Sequence, residues 1–104
     1  MRTFPKALAP FRELVRRRAN EIKVLTWQQI VELPKDQTED VMVGKHRGAI
    51  SIIVECETER LRVVIQGFLK HRFLPGSSIA MEGFVKERND NVIPMTDDEL
   101  VDYA

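Results

Sequence analysis

The chain of 104 residues carries 16 Lys plus Arg against 16 Asp plus Glu, is 43% apolar and 31% charged, and contains one Cys. With no apolar run approaching the roughly eighteen residues a spanning helix needs, these figures exclude a helical membrane protein, a disulfide scaffold and a strongly charged binder judged on total charge. One domain over residues 1–104 is expected, because a chain of this size buries roughly two-thirds of the surface its unfolded form exposes.

Along the chain, Pro10 is suited to the first turn of a helix, and Phe11, Leu14, Val15, Ala19 and Ile22 follow at helical spacing on one face. This predicts a helix over 10–22. Arg17 lies opposite the apolar face with Glu13 and Glu21 one turn to either side, while Arg12 and Arg16 form a separate exposed edge. Arg18 falls among the apolar residues and must reach outward or meet a carboxylate from another element. Thr26-Trp27-Gln28-Gln29 reads as a capping box, stapled by Leu25 and Ile30, for a short helix stopped by Pro34, with Trp27 in the core. A short strand over 41–43 follows.

The strongest pattern is a hairpin of strands 49–57 and 60–70 around a Thr58-Glu59 loop. That loop lacks the Gly or Asn preferred in tight turns, so the register is taken from side-chain matching. When facing residue numbers sum to 117, Glu57 meets Arg60, Glu55 meets Arg62 and Ile53 meets Val64. On the other face Cys56 meets Leu61, Val54 meets Val63 and Ile52 meets Ile65. A slip of one residue would destroy both patterns. After Pro75-Gly76, 79–87 reads as a further strand, and Asn89-Asp90-Asn91 turns into a short edge strand over 92–95 containing Pro94. Thr96-Asp97-Asp98-Glu99 is a second capping box opening a final helix with an acidic first turn. The expected class is α+β: an antiparallel meander of three to five strands with N-terminal helices and a short C-terminal helix.

The neutral total is a cancellation. Residues 1–24 hold seven bases against two acids, residues 89–104 hold five acids and no base, and the middle holds nine of each. Within that middle, Lys45-His46-Arg47 and Lys70-His71-Arg72 meet at the open end of the hairpin if the register continues, while Glu55, Glu57 and Glu59 crowd its tip. Like charges across a ladder call for an anion or an acidic segment beside them, and the acidic tail Asp97, Asp98, Glu99 and Asp102 is one candidate. An external phosphate backbone is another, since Lys and Arg release counterions on binding it.

Catalytic signals are weak. Cys56 is expected on the apolar sheet face, where a thiol behaves as a small hydrophobe, and both histidines are wrapped in positive charge that repels a cation, so no metal site and no cofactor is expected. No Gly-rich phosphate cradle, nucleophile elbow or zinc motif occurs in the sequence.

One sheet face groups Ile53, Val64 and Phe68 with Phe84 if alternation carries across to the next strand, leaving an apolar patch suited to a partner or a second copy. The leading expectation is therefore a small non-catalytic binding protein, an adaptor, inhibitor or immunity-type module, recognising a protein partner by charge complementarity and sheet-face contacts. The residues assigned to it are Arg12, Arg16, the two triplets and the acidic tail. Nucleic-acid or phosphate binding through the triplets is the alternative, and a phosphodiester-acting enzyme using the paired histidines the third reading. With no apolar leader after Met1-Arg2-Thr3-Phe4-Pro5-Lys6 and a lone Cys, a cytoplasmic location without membrane contact is expected.

Overall fold

The computed structural model describes residues 8–44, 46–70 and 77–101. Helices α1 (Leu8–Lys23) and α2 (Trp27–Val31) lead into strands β1 (Asp36–Val43), β2 (His46–Cys56), β3 (Arg60–Lys70), β4 (Ser77–Glu87) and β5 (Val92–Pro94), and α3 (Asp97–Val101) closes the order. The strands form one antiparallel sheet in sequential order, an α+β arrangement. Among the described residues no helix is long and apolar enough to cross a membrane.

The first helix begins two residues before Pro10, which therefore lies in the first turn, where its missing N–H has no intrahelical partner to lose. Its apolar stripe of Phe11, Val15, Ala19 and Ile22 is buried against β3 and β4. Gly67 makes the close approach possible, because a Cβ there would lie 2.5 Å from Val15 Cγ2 and 2.8 Å from Phe11 Cζ. At the other end, Lys86 is buried and its Nζ donates to the Lys23 carbonyl at 3.0 Å, placing a cation on the negative end of the helix dipole.

Arg18 meets both carboxylates within reach: it binds Glu39 of β1 at 2.7 Å and Glu21 at 3.1 Å. These two carboxylates hold its guanidinium pKa above the ordinary arginine value. The expected pairing of Arg17 is corrected, because Glu13 goes to Arg16 at 3.6 Å and Glu21 to Arg18. Arg18 outcompetes Arg17 because it leans toward the sheet, where Glu39 and Glu21 converge on it.

The first capping box forms in full, with the Gln29 N–H donating to Thr26 Oγ1 and the Thr26 N–H to Gln29 Oε1. Asp90, held at φ 71°, accepts from the Trp27 N–H at 2.7 Å and ties α2 to the turn before β5. Trp27 is half-buried rather than enclosed, packing on the core with the Arg88 guanidinium 5.6 Å from its ring.

The central hairpin adopts the register inferred from charge and branching: Glu55 faces Arg62, Ile53 faces Val64, Val54 faces Val63 and Cys56 faces Leu61. The turn closes with the Glu57 N–H donating to the Arg60 carbonyl at 2.8 Å. The first strand is a larger departure. It runs over eight residues instead of 41–43, and Val43 faces His46 across Gly44, whose φ of 62° makes the tight reversal. Its stretch of Asp36, Gln37, Glu39 and Asp40 has the composition of a loop; the long exposed flank of β2 pairs it into the sheet nonetheless.

Candidate protein-binding face

Alternation along the strands sorts the sheet into two faces. Leu61, Val63, Ile65 and Leu69 of β3 point toward α1 and α2, and their partners Val54 and Phe84 lie on the same side. Phe84 is thus corrected: it is fully buried under α1, on the face opposite Ile53, Val64 and Phe68. The pairing of Val64 with Gly83, not with Phe84, shifts the parity of β4 by one and decides this. Cys56 shares the helix-facing side but sits at the strand end, exposed, with its Sγ 2.8 Å from the Lys35 ammonium, so the expectation of a buried thiol is also corrected.

The second face divides in two. At the hairpin-tip end, α3 and the residue before its cap cover it: Met95 and Leu100 pack with Ile53, Val64 and Val85. Gly83 leaves them room, because a Cβ there would lie 2.7 Å from Leu100 Cδ2 and 2.8 Å from Met95 Sδ. The second capping box anchors this helix, the Thr96 N–H donating to Glu99 Oε1 at 3.0 Å and the Glu99 N–H to Thr96 Oγ1 at 3.2 Å. Donation to the Glu99 carboxylate from the Thr96 N–H and from the Thr96 hydroxyl, at 3.2 Å, with smaller contributions from the charges of Arg62 and Arg60, holds the Glu99 carboxyl below the usual carboxylate range. Glu99 is thus held first by its own cap, while Arg60 and Arg62 make their ion pairs with Glu57, at 3.5 and 3.6 Å.

Arg47 lies at the other end. It is eight residues up β2 from Glu55, the partner of Arg62, a separation of roughly 26 Å at 3.3 Å per residue. There the second face opens into a groove of about 450 Å³ lined by Asp40, Met42, Arg47, Ala49 and Phe68. The ladder places them together: Met42 faces Arg47, Asp40 faces Ala49 and Ala49 faces Phe68. Met42 is 60% exposed, the largest exposure of any apolar side chain on this face among the described residues. Arg47 is exposed, Phe68 half-buried, and among the described residues no ion pair joins Arg47 to Asp40. The groove thus offers an apolar floor with one charge of each sign, neither in an ion pair among the described residues.

The assigned residues are spread over three places. Arg47 and Phe68 line the groove; Ile53 and Val64 lie under α3; Arg12 and Arg16 stand on the flank of α1 above β4. His46 faces Val43 in the ladder, and Lys70 faces Ser77. Asp98 is exposed on α3 beside Glu99, and Asp97 opens that helix. Lys45, His71, Arg72 and Asp102 lie outside the described residues, so the convergence of the two full triplets and the facing of His46 by His71 lie outside them as well. Met42 and Asp40 are the residues sequence reasoning missed. The signal available for them was Gly44 directly after Val41-Met42-Val43, a reversal that makes the preceding segment the partner of β2. Among the described residues no three His, Cys, Asp or Glu side chains gather as metal ligands. Comparison of the chain with protein-family models, with curated proteins and with solved structures finds no match.

Proposed function

We propose that the chain is a non-catalytic binding module that takes a protein partner in the open-end groove, the partner supplying an apolar side chain beside a carboxylate. The observation that carries this reading is the exposed Met42 facing Arg47 across the ladder, with Asp40 and Phe68 lining the same groove. Exposed apolar side chains ringed by polar ones are the anatomy of protein recognition sites, where an anchor fills a pocket and charges fix its orientation. Arg47 favours the carboxylate; Asp40 at the same groove disfavours a polyanion, which would have to pass a like charge.

Selection of peptides from a random display library on the immobilised protein tests the proposal. Enriched sequences should share an apolar residue adjacent to Asp or Glu, and Met42→Glu and Arg47→Glu should each weaken the selected peptides by about tenfold or more, which is about 1.4 kcal/mol. Equal binding to both variants, or enrichment of nothing, overturns it. Tight, salt-sensitive binding of a DNA duplex that survives Met42→Glu would replace it with the phosphate-binding reading.

A further inference from the structure

The two edges of the sheet are not alike. In β1 the Val54 N–H donates to the Lys35 carbonyl, so odd-numbered residues bond to β2 and even-numbered ones turn their backbone groups outward. The outward set is Asp36, Thr38, Asp40 and Met42, and charges of this kind are how natural edges are blunted against further pairing. In β4 the Met95 N–H donates to the Gly83 carbonyl and the Glu87 N–H to the Asn91 carbonyl, so odd-numbered residues face β5. The ladder to β5 covers only Phe84 to Lys86. The same alternation leaves the N–H and C=O of Met81 and Ile79 on the outer side of β4, where no strand among the described residues pairs with them. The stretch 77–81 contains no charge and no Pro.

Above this edge stand the bases Arg12, Arg16 and Lys23 of α1, with the Glu82 carboxylate in the same cavity as the two arginines. The first helix is aligned with β4: Arg12 and Arg16 stand by Ala80 and Glu82, and Lys23 stands by Phe84, its Nζ 5.9 Å from the ring centre. Arg12, Val15, Arg16, Ala80, Met81 and Glu82 enclose a cavity of about 250 Å³. Glu13 holds Arg16 at 3.6 Å with both side chains more than half exposed, and Arg12 has no ion pair among the described residues.

We infer that the outer edge of β4 accepts an extended acidic segment of a partner protein as an added strand, with carboxylates on its helix-facing side under Arg12 and Arg16. The spacing supports this. One helical turn separates the two arginines by about 6 Å along the axis, and alternate residues of a strand recur every 6.6–6.8 Å or so, so successive helix-facing carboxylates fall beneath successive arginines. Main-chain bonds to Met81 and Ile79 supply the pairing, and the arginines select for acidity. A second copy of this chain fits less well, because pairing β4 with β4 sets two rows of Arg12 and Arg16 against each other. The inference rests on the reading of the chain as a protein-binding module but uses an edge separate from the groove.

The probe is a capped, fluorescein-labelled hexapeptide of alternating Asp and Val, titrated at low salt with anisotropy as readout. It should bind, and Arg12→Glu with Arg16→Glu should weaken it about tenfold or more. Met81→Pro, which removes an outward N–H, should do the same, and Met81→Leu, which also removes the sulfur that Gln66 Nε2 reaches at 3.5 Å but keeps the N–H, should not. In a backbone N-methyl scan of the peptide, which leaves the protein untouched, alternate positions should lose binding and the intervening ones keep it, the period-two signature of a strand. Because the peptide also sets an apolar residue beside a carboxylate, as the groove requires, every titration is repeated on the Met42→Glu protein, whose groove is disabled. Binding that survives there and is lost with Arg12→Glu and Arg16→Glu belongs to the edge, and binding lost with Met42→Glu alone overturns the inference. No binding, equal tolerance of N-methylation at all positions, or displacement of the peptide by concentration-dependent dimerisation each overturns the inference.

Discussion

Gly67→Ala probes the contact on which the fold turns, the seat of α1 on β3. The added methyl carbon would lie 2.5 Å from Val15 Cγ2, 2.8 Å from Phe11 Cζ and 2.9 Å from Phe11 Cε2, and both side chains are fully buried, so neither can swing aside. Restoring an ordinary contact of about 3.5 Å to Val15 requires the helix to lift by about 1 Å. Overpacking of this kind costs about 1–3 kcal/mol. Replacing glycine within a strand returns roughly 0.5–1 kcal/mol by lowering the entropy of the unfolded chain. At midrange the net loss is about 1 kcal/mol, a fall in Tm of roughly 4–8 °C for a domain of this size. Calorimetry with urea melts followed by circular dichroism measures it. Val15→Ala removes the nearest atom, so in the double variant the two losses should fall short of additivity by about 0.5 kcal/mol or more. Gly83→Ala is the internal control: its new carbon meets Leu100 Cδ2 and Met95 Sδ, the far ends of two flexible side chains, one on the five-residue α3 and one just before its cap, and should cost less. An unchanged or raised Tm for Gly67→Ala, strict additivity with Val15→Ala, or a larger loss at Gly83 would refute the packing argument.

Three further predictions rest on single contacts. Lys86→Met keeps the buried stem but deletes the donor to the Lys23 carbonyl, and should lower stability by about 1–2 kcal/mol in urea melts. Because Thr96 and the nearby arginines hold Glu99 below the usual carboxylate range, the ionised form supports the fold above the ordinary Glu value, and that support disappears as pH falls through the lowered one. The side-chain carbonyl of Glu99 should therefore titrate by NMR below a reference peptide, and Thr96→Ala should move the midpoint upward. Glu39→Gln removes a forked contact that leaves the Arg18 side chain 32% exposed, so its cost should stay within about 1 kcal/mol and shrink in high salt.

The acid limb and the glycine contacts belong to different levels of information. The central hairpin was legible because its constraints are local and redundant: opposite charges at Glu55 and Arg62 and branched residues on both faces admit one register. Both capping boxes were legible for the same reason, since each is a contact between residues three apart in sequence. Arg18 was legible in part: its place on the apolar face demanded a carboxylate, but Glu39 is 21 residues away and could not be named from spacing.

The sequence by itself determined the class, the elements other than the full first strand, and the central register, because propensity, capping and cross-strand matching act over short distances. Tertiary structure alone decided which residues are available to a partner. Pairing of Val64 with Gly83 sent Phe84 into the core and left Phe68 on the other face, and pairing of β1 with β2 brought Met42 and Asp40 to Arg47. Seating of α3 at the hairpin tip packed Leu100 and Met95 on Ile53 and Val64 and left the open-end groove outside the reach of that helix. A two-residue period makes such outcomes hinge on the parity of a single pairing between elements, and that parity is set by which surfaces can be buried together.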